Sequence, residues 1–214
     1  MEKAKSKFIE AVDITPQMAF EFIRVLQFIG VDYVVAPYEG DSQLAYLYKE
    51  GFVDAVLTLD SDLLAFGVKR GFYKMSMDGE VDDIDMTKMR ETTDTDFSWM
   101  SEEDFLHFCI LCGCDYLKNI PGLAFKRVNK NFKQVNGDVK LFLKEAGKKR
   151  QIDEDFYDNF IQAKLTFRFQ RVYCPKRQKI VHLHDPESHP DGEILKTFEN
   201  MNFLGFHVEE ARAK

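Results

Sequence analysis

Apolar positions along the first sixty residues alternate between helical spacing and short continuous runs. Residues 16–29 have apolar side chains every three or four positions, which predicts a helix with Thr15 as its N-cap. Residues 31–37 and 54–60 are short apolar runs of the kind that form strands buried on both faces of a sheet. Residues 41–50 between them predict a second helix. The inner face of the first helix is expected to consist of Met18, Phe22, Val25 and Ile29.

This helix–strand–helix–strand order predicts an α/β fold with a mainly parallel, open sheet covered by helices on both faces. Asp78 and Gly79 mark the turn of a hairpin that follows the sheet. The later pattern is mainly helical, so we expect a helical subdomain after the α/β part. Its predicted elements are a helix from Ser101 to Gly113, a helix after the Pro121–Gly122 turn, helices at 138–146 and 154–169, and a hairpin at 172–186.

The composition places few limits on function but does indicate a compartment. The chain has 214 residues, 45% of them hydrophobic, which suffices for a substantial core. Its apolar runs are too short for a membrane span, and its first residues lack the apolar centre of a signal peptide. The four cysteines form no even disulfide framework. We therefore expect an intracellular protein with no membrane partner.

The net charge of −7 conceals two charged blocks of opposite sign. Residues 31–117 carry 6 basic and 19 acidic side chains, a net charge of −13. Residues 118–150 carry 10 basic and 2 acidic side chains, a net charge of +8. Basic surface helices are common, so chance is one explanation. The alternative is a cation-binding acidic site beside a surface that binds a polyanion.

Two pairs of acids follow the two predicted strands. Glu39 and Asp41 come after the first strand, and Asp60 and Asp62 come after the second. Ligands of open parallel sheets bind beyond the carboxyl ends of the strands, and side chains at i and i+2 point the same way on extended backbone. Four converging carboxylates repel one another unless a cation joins them, and oxygen ligands suit Mg²⁺ or Mn²⁺. Taken alone, Asp41 is more simply explained as a helix cap and Asp62 as a turn cap, but two pairs at equivalent strand ends favour a metal site.

Cysteines and one further acid cluster in the segment CILCGCDYL. Asp115 lies just past the predicted end of a helix. Cys109, Cys112 and Cys114 raise the possibility of zinc, but they fall on and around one apolar helix, which is typical of buried, reduced cysteines.

The basic block contains a helix with one charged face. Lys126, Lys130 and Lys133 fall at i, i+4 and i+7 in the helix after the Pro-Gly turn. The free N–H groups of Gly122–Ala124 at the start of this helix are suited to a phosphate. A solvated amphipathic helix is the simpler interpretation. The preceding helix and tight turn complete a hairpin, which favours binding to a nucleic-acid backbone.

The motifs YEGDSQLAYL, LDSDLLAFG, and CILCGCDYL followed by IPGLAFKRV resemble the structure-specific 5′ nucleases in order and spacing. This family includes the flap endonucleases, the xeroderma-type endonuclease and exonuclease 1, and the motifs are most similar to the exonuclease 1 branch. The resemblance covers most of residues 10–170. It implies a PIN-like or resolvase-like three-layer sandwich, followed by a helix–two-turn–helix subdomain. We expect a core at 1–100, a DNA-binding subdomain at 101–150, and an extension at 151–214 that packs back on the core.

The resemblance also implies an activity and a site. Family members hydrolyse phosphodiester bonds of DNA that has a 5′ end, nick, gap or flap, with two Mg²⁺ ions, and Mn²⁺ is an alternative. They act in repair and recombination in the nucleus, with repair proteins as further partners. The hairpin binds duplex DNA and a monovalent cation. By this resemblance the catalytic and metal-binding residues are Glu39, Asp41, Asp60, Asp62 and Asp115, and the DNA-binding residues are Gly122, Leu123, Ala124, Lys126, Arg127 and Lys130.

The sequence also departs from the family pattern. The family's nuclease domain begins with about a hundred further residues, which supply the first strand, two more metal-binding aspartates and a basic helical arch. Five acids then match part of a seven-acid site, and we expect little activity from this chain by itself. Leu59 stands where many relatives have an acid. Ala124 replaces a glycine of the hairpin and Cys112 replaces a serine, which brings the monovalent-cation site into question.

Three other functions compete with a DNA nuclease. A catalytically inactive module that binds DNA structures would keep the hairpin without the chemistry. A ribonuclease on the same sheet would use the carboxylates, although the basic hairpin argues against it. A protein-interaction role would leave DNA affinity independent of Lys126, Arg127 and Lys130.

Overall fold

The computed structural model describes residues 14–92 and 94–205. Its contacts divide the chain into two units, Met1–Val35 and Ala36–Lys214. No helix in the described ranges is long and apolar enough to cross a membrane. The helices are α1 Pro16–Ile29, α2 Gly40–Lys49, α3 Asp62–Ala65, α4 Glu102–Cys112, α5 Phe125–Gln134, α6 Val139–Gly147, α7 Phe156–Phe169 and α8 Gly192–Leu195. The strands are β1 Val56–Thr58, β2 Arg70–Tyr73, β3 Asp82–Asp85, β4 Arg171–Cys174 and β5 Lys179–His182, and the short 3-10 helices are Met86–Glu91 and Asn202–Leu204.

Helix α1 of the first unit begins and ends where the sequence predicts. The Thr15 side chain accepts a hydrogen bond from the backbone of Met18, Pro16 occupies the first position, and Gly30 ends the helix in the left-handed conformation. The predicted inner face is exposed, however. An apolar helix face is buried only against a packing partner, and the first unit contains no second helix or strand among residues 14–35. The exposed fractions are 51% for Met18, 62% for Phe22, 52% for Val25 and 58% for Ile29.

The strand predicted at residues 31–37 is absent from the described structure. These residues run without regular secondary structure up to Pro37, and Val35 is 61% exposed. A strand is defined by the hydrogen bonds that it makes with a neighbour, and an apolar run alone does not supply that neighbour. The apolar run therefore has the composition of a strand, but it does not reveal whether a neighbouring strand is present to pair with it.

The sheet of the second unit is mixed, which confirms the α/β class and corrects the mainly parallel arrangement. Strands β1 and β2 are parallel, with Val56 opposite Gly71. Strands β2 and β3 are antiparallel, because a hairpin connects them around Gly79, whose φ of 83° suits glycine. The sheet order is β1-β2-β3.

Four helices follow the sheet at the predicted places. Helix α4 starts with a capping box in which Ser101 and Asp104 satisfy each other's backbone N–H groups. Helix α5 follows the turn at Pro121, and α6 is capped by Asp138. The antiparallel pair of β4 and β5 forms the predicted C-terminal hairpin. For the last twenty residues the sequence predicts a terminal helix or a tail; the described part of this range contains the short 3-10 helix Asn202–Leu204, and residues 206–214 lie outside the described residues.

One cluster of buried side chains connects the sheet, the helical hairpin and β4. It continues across residues 100 and 150, where the sequence predicted domain boundaries, so the parts on either side share a core. The three-part division of the chain remains a prediction. The largest fully buried members of this cluster include Leu63, Phe108, Phe132, Phe142, Phe160 and Phe167.

Candidate metal centre and basic hairpin

The first predicted acid pair lies at the start of α2. Glu39 is the N-cap residue in extended conformation, and Asp41 lies in the first turn. Both are partly buried. The positive end of the helix dipole favours carboxylates at these positions. The backbone carbonyl of Glu39 accepts hydrogen bonds from the Ser42 hydroxyl and from the backbone N–H of Gln43. These two hydrogen bonds form the first turn of α2.

The second pair follows β1, as predicted. The Asp60 side chain accepts a hydrogen bond of 2.8 Å from the backbone N–H of Asp62, so it caps the turn into α3. The backbone N–H of Asp115 acts to lower the pKa of Asp62, which places it near the Asp62 carboxylate. The turn cap is therefore Asp60, through one of its oxygens, whereas the alternative interpretation of the sequence assigned caps to Asp41 and Asp62. The contact with Asp115 brings the third predicted segment to the same place.

The pKa values of Asp41 and Asp62 are raised, in part by the other carboxylates of the set. Burial raises the pKa of Asp41, and the nearby charges of Asp60, Glu39 and Asp115 raise it further. Burial likewise raises the pKa of Asp62 to about 6, with the charges of Asp60, Asp115 and Asp41 acting in the same direction. Each predicted acid thus lies within electrostatic reach of others in the set. The fold brings together acids from three separate segments of the chain.

The carboxylates form an open cluster in this structure. Within residues 14–92 and 94–205, no group of three His, Cys, Asp or Glu side chains is close enough to hold a metal ion. Repulsion explains why like charges stay apart, and a divalent cation is the natural counter-charge for such a cluster. The donors are carboxylate oxygens, the ligands that suit Mg²⁺ and Mn²⁺, so the chemistry of the set fits the predicted metals.

A buried tyrosine hydroxyl also faces the cluster. Tyr73, at the end of β2, is 4% exposed, and its hydroxyl has no hydrogen-bond partner within the described part of the chain. Burial, followed by the charges of Asp60 and Asp41, raises its pKa to about 12. A buried hydroxyl without a partner is costly and suits a site that receives a ligand or water. The sequence did not identify Tyr73 as a site residue.

Two further residues that the sequence did not identify hold Glu39 in place. The Tyr116 hydroxyl and the Gln170 side-chain amide both donate to Oε2 of Glu39, the second at 2.8 Å. Gln170 is 4% exposed, and its own Oε1 has no hydrogen-bond partner among the described residues. Tyr116 is brought here by a tight turn in which Cys114 and Leu117 exchange backbone hydrogen bonds. One turn thus supplies both Asp115 to the cluster and a donor to Glu39.

The cysteines are reduced, as predicted, although Cys109, Cys112 and Cys114 are only partly buried. All four lie in the described part of the chain and are free thiols. Burial raises the pKa values of Cys109, Cys112 and Cys114, the value for Cys112 to about 12, so these thiols stay protonated at neutral pH. This protonation disfavours the zinc interpretation.

The basic hairpin has the predicted turn and helix, with one correction. Gly122 has a φ of 77°, and Ala124 is the N-cap of α5 without a side-chain hydrogen bond. Leu123 is buried and anchors the turn, whereas Lys126, Arg127 and Lys130 are exposed. The correction concerns the charge of Lys133, whose ammonium group pairs with the Asp96 carboxylate at 2.5 Å. The sequence places Val128, Phe132 and Val135 on the opposite, apolar face; Val128 and Phe132 are fully buried, and Val135 is partly buried.

Comparisons with known proteins agree with this geometry. The family model described as the XPG I-region matches residues 30–115, which include all five acids of the cluster. Exonuclease 1 of Oryza sativa subsp. japonica is 38% identical over 205 residues, which is 96% of this chain and 24% of the relative. Exodeoxyribonuclease 1 of Schizosaccharomyces pombe is 34% identical over 218 residues, covering 99% of this chain and 37% of the relative. The chain therefore spans about a quarter to a third of the length of these relatives.

Solved structures share the fold. Flap endonuclease-1 from Methanococcus jannaschii superposes with a TM-score of 0.54 and 27% identity, over 71% of this chain and 44% of that one. The Holliday junction-resolving enzyme GEN1, solved with product DNA and a Mg²⁺ ion, gives a TM-score of 0.55 at 25% identity, over 72% of this chain and 43% of that one. The motifs, the fold and these matches agree, and the chain belongs to the XPG I-region family of structure-specific 5′ nucleases.

Proposed function

We propose that the chain forms the carboxylate site and the duplex-binding hairpin of a Mg²⁺-dependent DNA nuclease. The reaction is phosphodiester hydrolysis in DNA, as a 5′-to-3′ exonuclease or 5′ flap endonuclease in repair and recombination. The observation that carries the proposal is that acids from three segments lie within electrostatic reach of one another: burial raises the pKa values of Asp41 and Asp62, and the neighbouring carboxylates raise them further. Relatives named exonuclease 1 and flap endonuclease support the same reaction.

The residues of the site divide into ligands and positioning groups. Glu39, Asp41, Asp60, Asp62 and Asp115 would hold two divalent ions, Mg²⁺ or Mn²⁺, which when bound activate a water and stabilise the leaving oxygen.

The chain's own residues prepare this site in two ways. Tyr116 and Gln170 occupy Oε2 of Glu39, which leaves Oε1 of that carboxylate free to face the cluster. Asp62, with a pKa of about 6, is mainly ionised at neutral pH and presents its oxygens as acceptors.

The substrate is held by the hairpin. Phosphates of duplex DNA with a 5′ end, nick, gap or flap would meet Gly122, Leu123 and Ala124 at the turn, then Lys126, Arg127 and Lys130. Contacts of this kind give affinity without sequence preference. The nucleus and association with repair proteins follow from the proposed role. A monovalent cation at the turn remains a prediction.

Cleavage assays test this function directly. The chain, alone and together with the N-terminal nuclease region of a relative, is incubated with Mg²⁺ and 5′-recessed or flap duplexes. We expect weak cleavage from the chain alone and robust cleavage with the added region, abolished by the pair Asp60→Ala and Asp62→Ala. Product lengths distinguish exonuclease from flap endonuclease action.

A catalytically inactive DNA-binding module is the second candidate. It is favoured by the open arrangement of the carboxylates, in which no three lie close enough to hold an ion within the described residues. Salt-dependent duplex binding that survives removal of Asp60 and Asp62, with no cleavage even in the presence of the added region, would establish this function and exclude the first.

A further inference from the structure

A groove lined by basic side chains runs between α5 and the turn that follows α6. Its volume is about 650 Å³. Two elements that are distant in sequence supply its cations, and Glu145 is the one acid among its described lining residues. The lining cations are Arg127, Lys130, Lys148, Lys149 and Arg150.

The groove retains most of its positive charge. The Lys148 ammonium lies 2.7 Å from both carboxylate oxygens of Glu145, so these two charges offset each other. The described lining residues include no second acid to offset the charges of the other four cations. This leaves a net charge of +4 on an exposed surface, a field that attracts a polyanion.

The groove is continuous with the turn that starts α5. The Arg127 guanidinium donates a hydrogen bond of 2.9 Å to the carbonyl of Gly122, so it bridges the turn and the groove. A Cβ placed on Gly122 would lie 3.7 Å from Nε of Arg150, which locates that side chain directly beside the turn. An anion held at the turn would therefore have Arg150 as its next cation.

We propose that this groove binds the sugar–phosphate backbone of duplex DNA adjacent to the phosphates at the turn, through Lys148, Lys149 and Arg150. The inference rests on the proposed DNA-binding function and extends its footprint to a segment that the sequence motifs do not include. The phosphates of a DNA backbone are regularly spaced, so a series of exposed cations can contact several of them at once. Such contacts need positive charge but no pocket shaped for one ligand. An acidic peptide is the competing ligand, but it would not explain the continuity with the turn.

The test compares two variants that remove the same charges. Lys149→Gln with Arg150→Gln removes two cations of the groove. Lys176→Gln with Arg177→Gln removes an identical pair that is exposed in the turn between β4 and β5. Duplex affinity is measured for both over a range of salt concentrations, on duplexes of about one and about two helical turns, roughly 10 and 20 bp.

The groove pair is expected to bind the longer duplex roughly tenfold more weakly, with a salt slope reduced by about 2. The control pair should remain close to the unaltered chain in both quantities. Equal behaviour of the two pairs would overturn the inference while leaving the proposed function intact. Absence of duplex binding by the unaltered chain would instead refute the proposed function itself.

A variant that binds duplex DNA more tightly gives a second test, because a misfolded protein would lose affinity and not gain it. Glu145→Gln removes the acid of the groove and frees Lys148, so it should tighten duplex binding about threefold. Unchanged or weaker duplex binding by this variant would contradict the inference. So would a groove pair that loses affinity for a polyglutamate peptide but keeps its affinity for DNA.

Discussion

At the residue scale, the candidate site depends on how neutral donors orient a carboxylate. Tyr116 and Gln170 both donate to Oε2 of Glu39, which leaves Oε1 available to a cation. Neutral donors fix this orientation without adding a positive charge that would compete with a cation. Glu39 is therefore predicted to ligate through Oε1 alone.

Removing these donors should weaken metal binding and leave the fold intact. Tyr116→Phe and Gln170→Leu each keep most of the side-chain volume but remove a donor to Glu39. We expect each to lower Mn²⁺ affinity by about tenfold, as losses of outer-shell partners commonly do. Calorimetric titration of Mn²⁺ measures this effect.

Gln170→Glu provides a control of the same shape, because it places a second carboxylate against Glu39. It should weaken Mn²⁺ binding at least as much as Gln170→Leu at neutral pH, or shift its pH dependence upward. Unchanged Mn²⁺ affinity and pH dependence in all three variants would show that Glu39 does not need these contacts.

The sequence predicted the acids but not the residues that position them. Glu39, Asp41, Asp60 and Asp62 follow apolar runs, so a local pattern identifies them. Tyr116 and Gln170 contact Glu39 across 77 and 131 positions of sequence. Contacts of that separation depend on tertiary packing, which a periodic pattern does not encode.

At the element scale, a buried glutamine attaches α2 to β4. The Gln43 side chain is 3% exposed and makes two hydrogen bonds to the backbone of Tyr173, donating at 2.8 Å and accepting at 2.7 Å. The Gln43 amide thus makes the same pair of hydrogen bonds to Tyr173 that a neighbouring strand would make. Because Glu39 is the N-cap of α2 and Asp41 lies in its first turn, this attachment also fixes the position of the acid pair.

Gln43→Ala should destabilise the fold by about 2–3 kcal/mol, since it leaves a buried backbone N–H and C=O without partners. Urea unfolding measures the change. Gln151→Ala is the control, because Gln151 is exposed and its loss should change stability by less than about 0.5 kcal/mol. Similar stabilities for the two variants would show that the attachment contributes little.

Local chemistry explains which elements the sequence predicted. Thr15 with Pro16, and Ser101 with Asp104, are caps formed within one helical turn, so they are visible in the sequence. The run at 31–37 has the composition of a strand but no pairing partner in the described structure. The backbone hydrogen bonds of a helix join residues four positions apart, whereas those of a strand are made with another strand. Strands are therefore harder to predict from a local pattern.

At the scale of the whole molecule, partly buried ionic groups connect α4 and α7 to the C-terminal segment. Glu103 of α4 lies 3.2 Å from His107 and 2.5 Å from both Lys164 and Arg168 of α7, and Lys164 also pairs with Asp191 at 2.8 Å. His107, followed by Lys164 and Arg168, holds the pKa of Glu103 well below its usual value of 4.5.

A histidine near this network is held neutral. Burial, with Lys49, Arg168 and His189, lowers the pKa of His184 from 6.5 to about 4.

Acidification should therefore remove the stability that these two groups contribute in two stages. Between pH 6.5 and about 4 the unfolded chain protonates His184 while the folded chain does not, so stability falls as pH falls. Below pH 4.5 the unfolded chain protonates Glu103 while the folded chain keeps it ionised, which lowers stability again. His184→Gln should remove about 2 kcal/mol of the loss between pH 7 and 4. Urea unfolding at a series of pH values checks this, and an unchanged pH profile would contradict it.

The convergence of the carboxylates into one cation site is the central claim, and Mn²⁺ binding tests it most directly. Calorimetric titration compares the unaltered chain with Asp60→Asn/Asp62→Asn and with Asp153→Asn/Asp155→Asn, a control pair of the same charge and spacing that is exposed before α7. The unaltered chain and the control pair should bind Mn²⁺ saturably, and the site pair should bind at least about tenfold more weakly. Equal Mn²⁺ binding by all three proteins, or no binding by the unaltered chain, would contradict the claim.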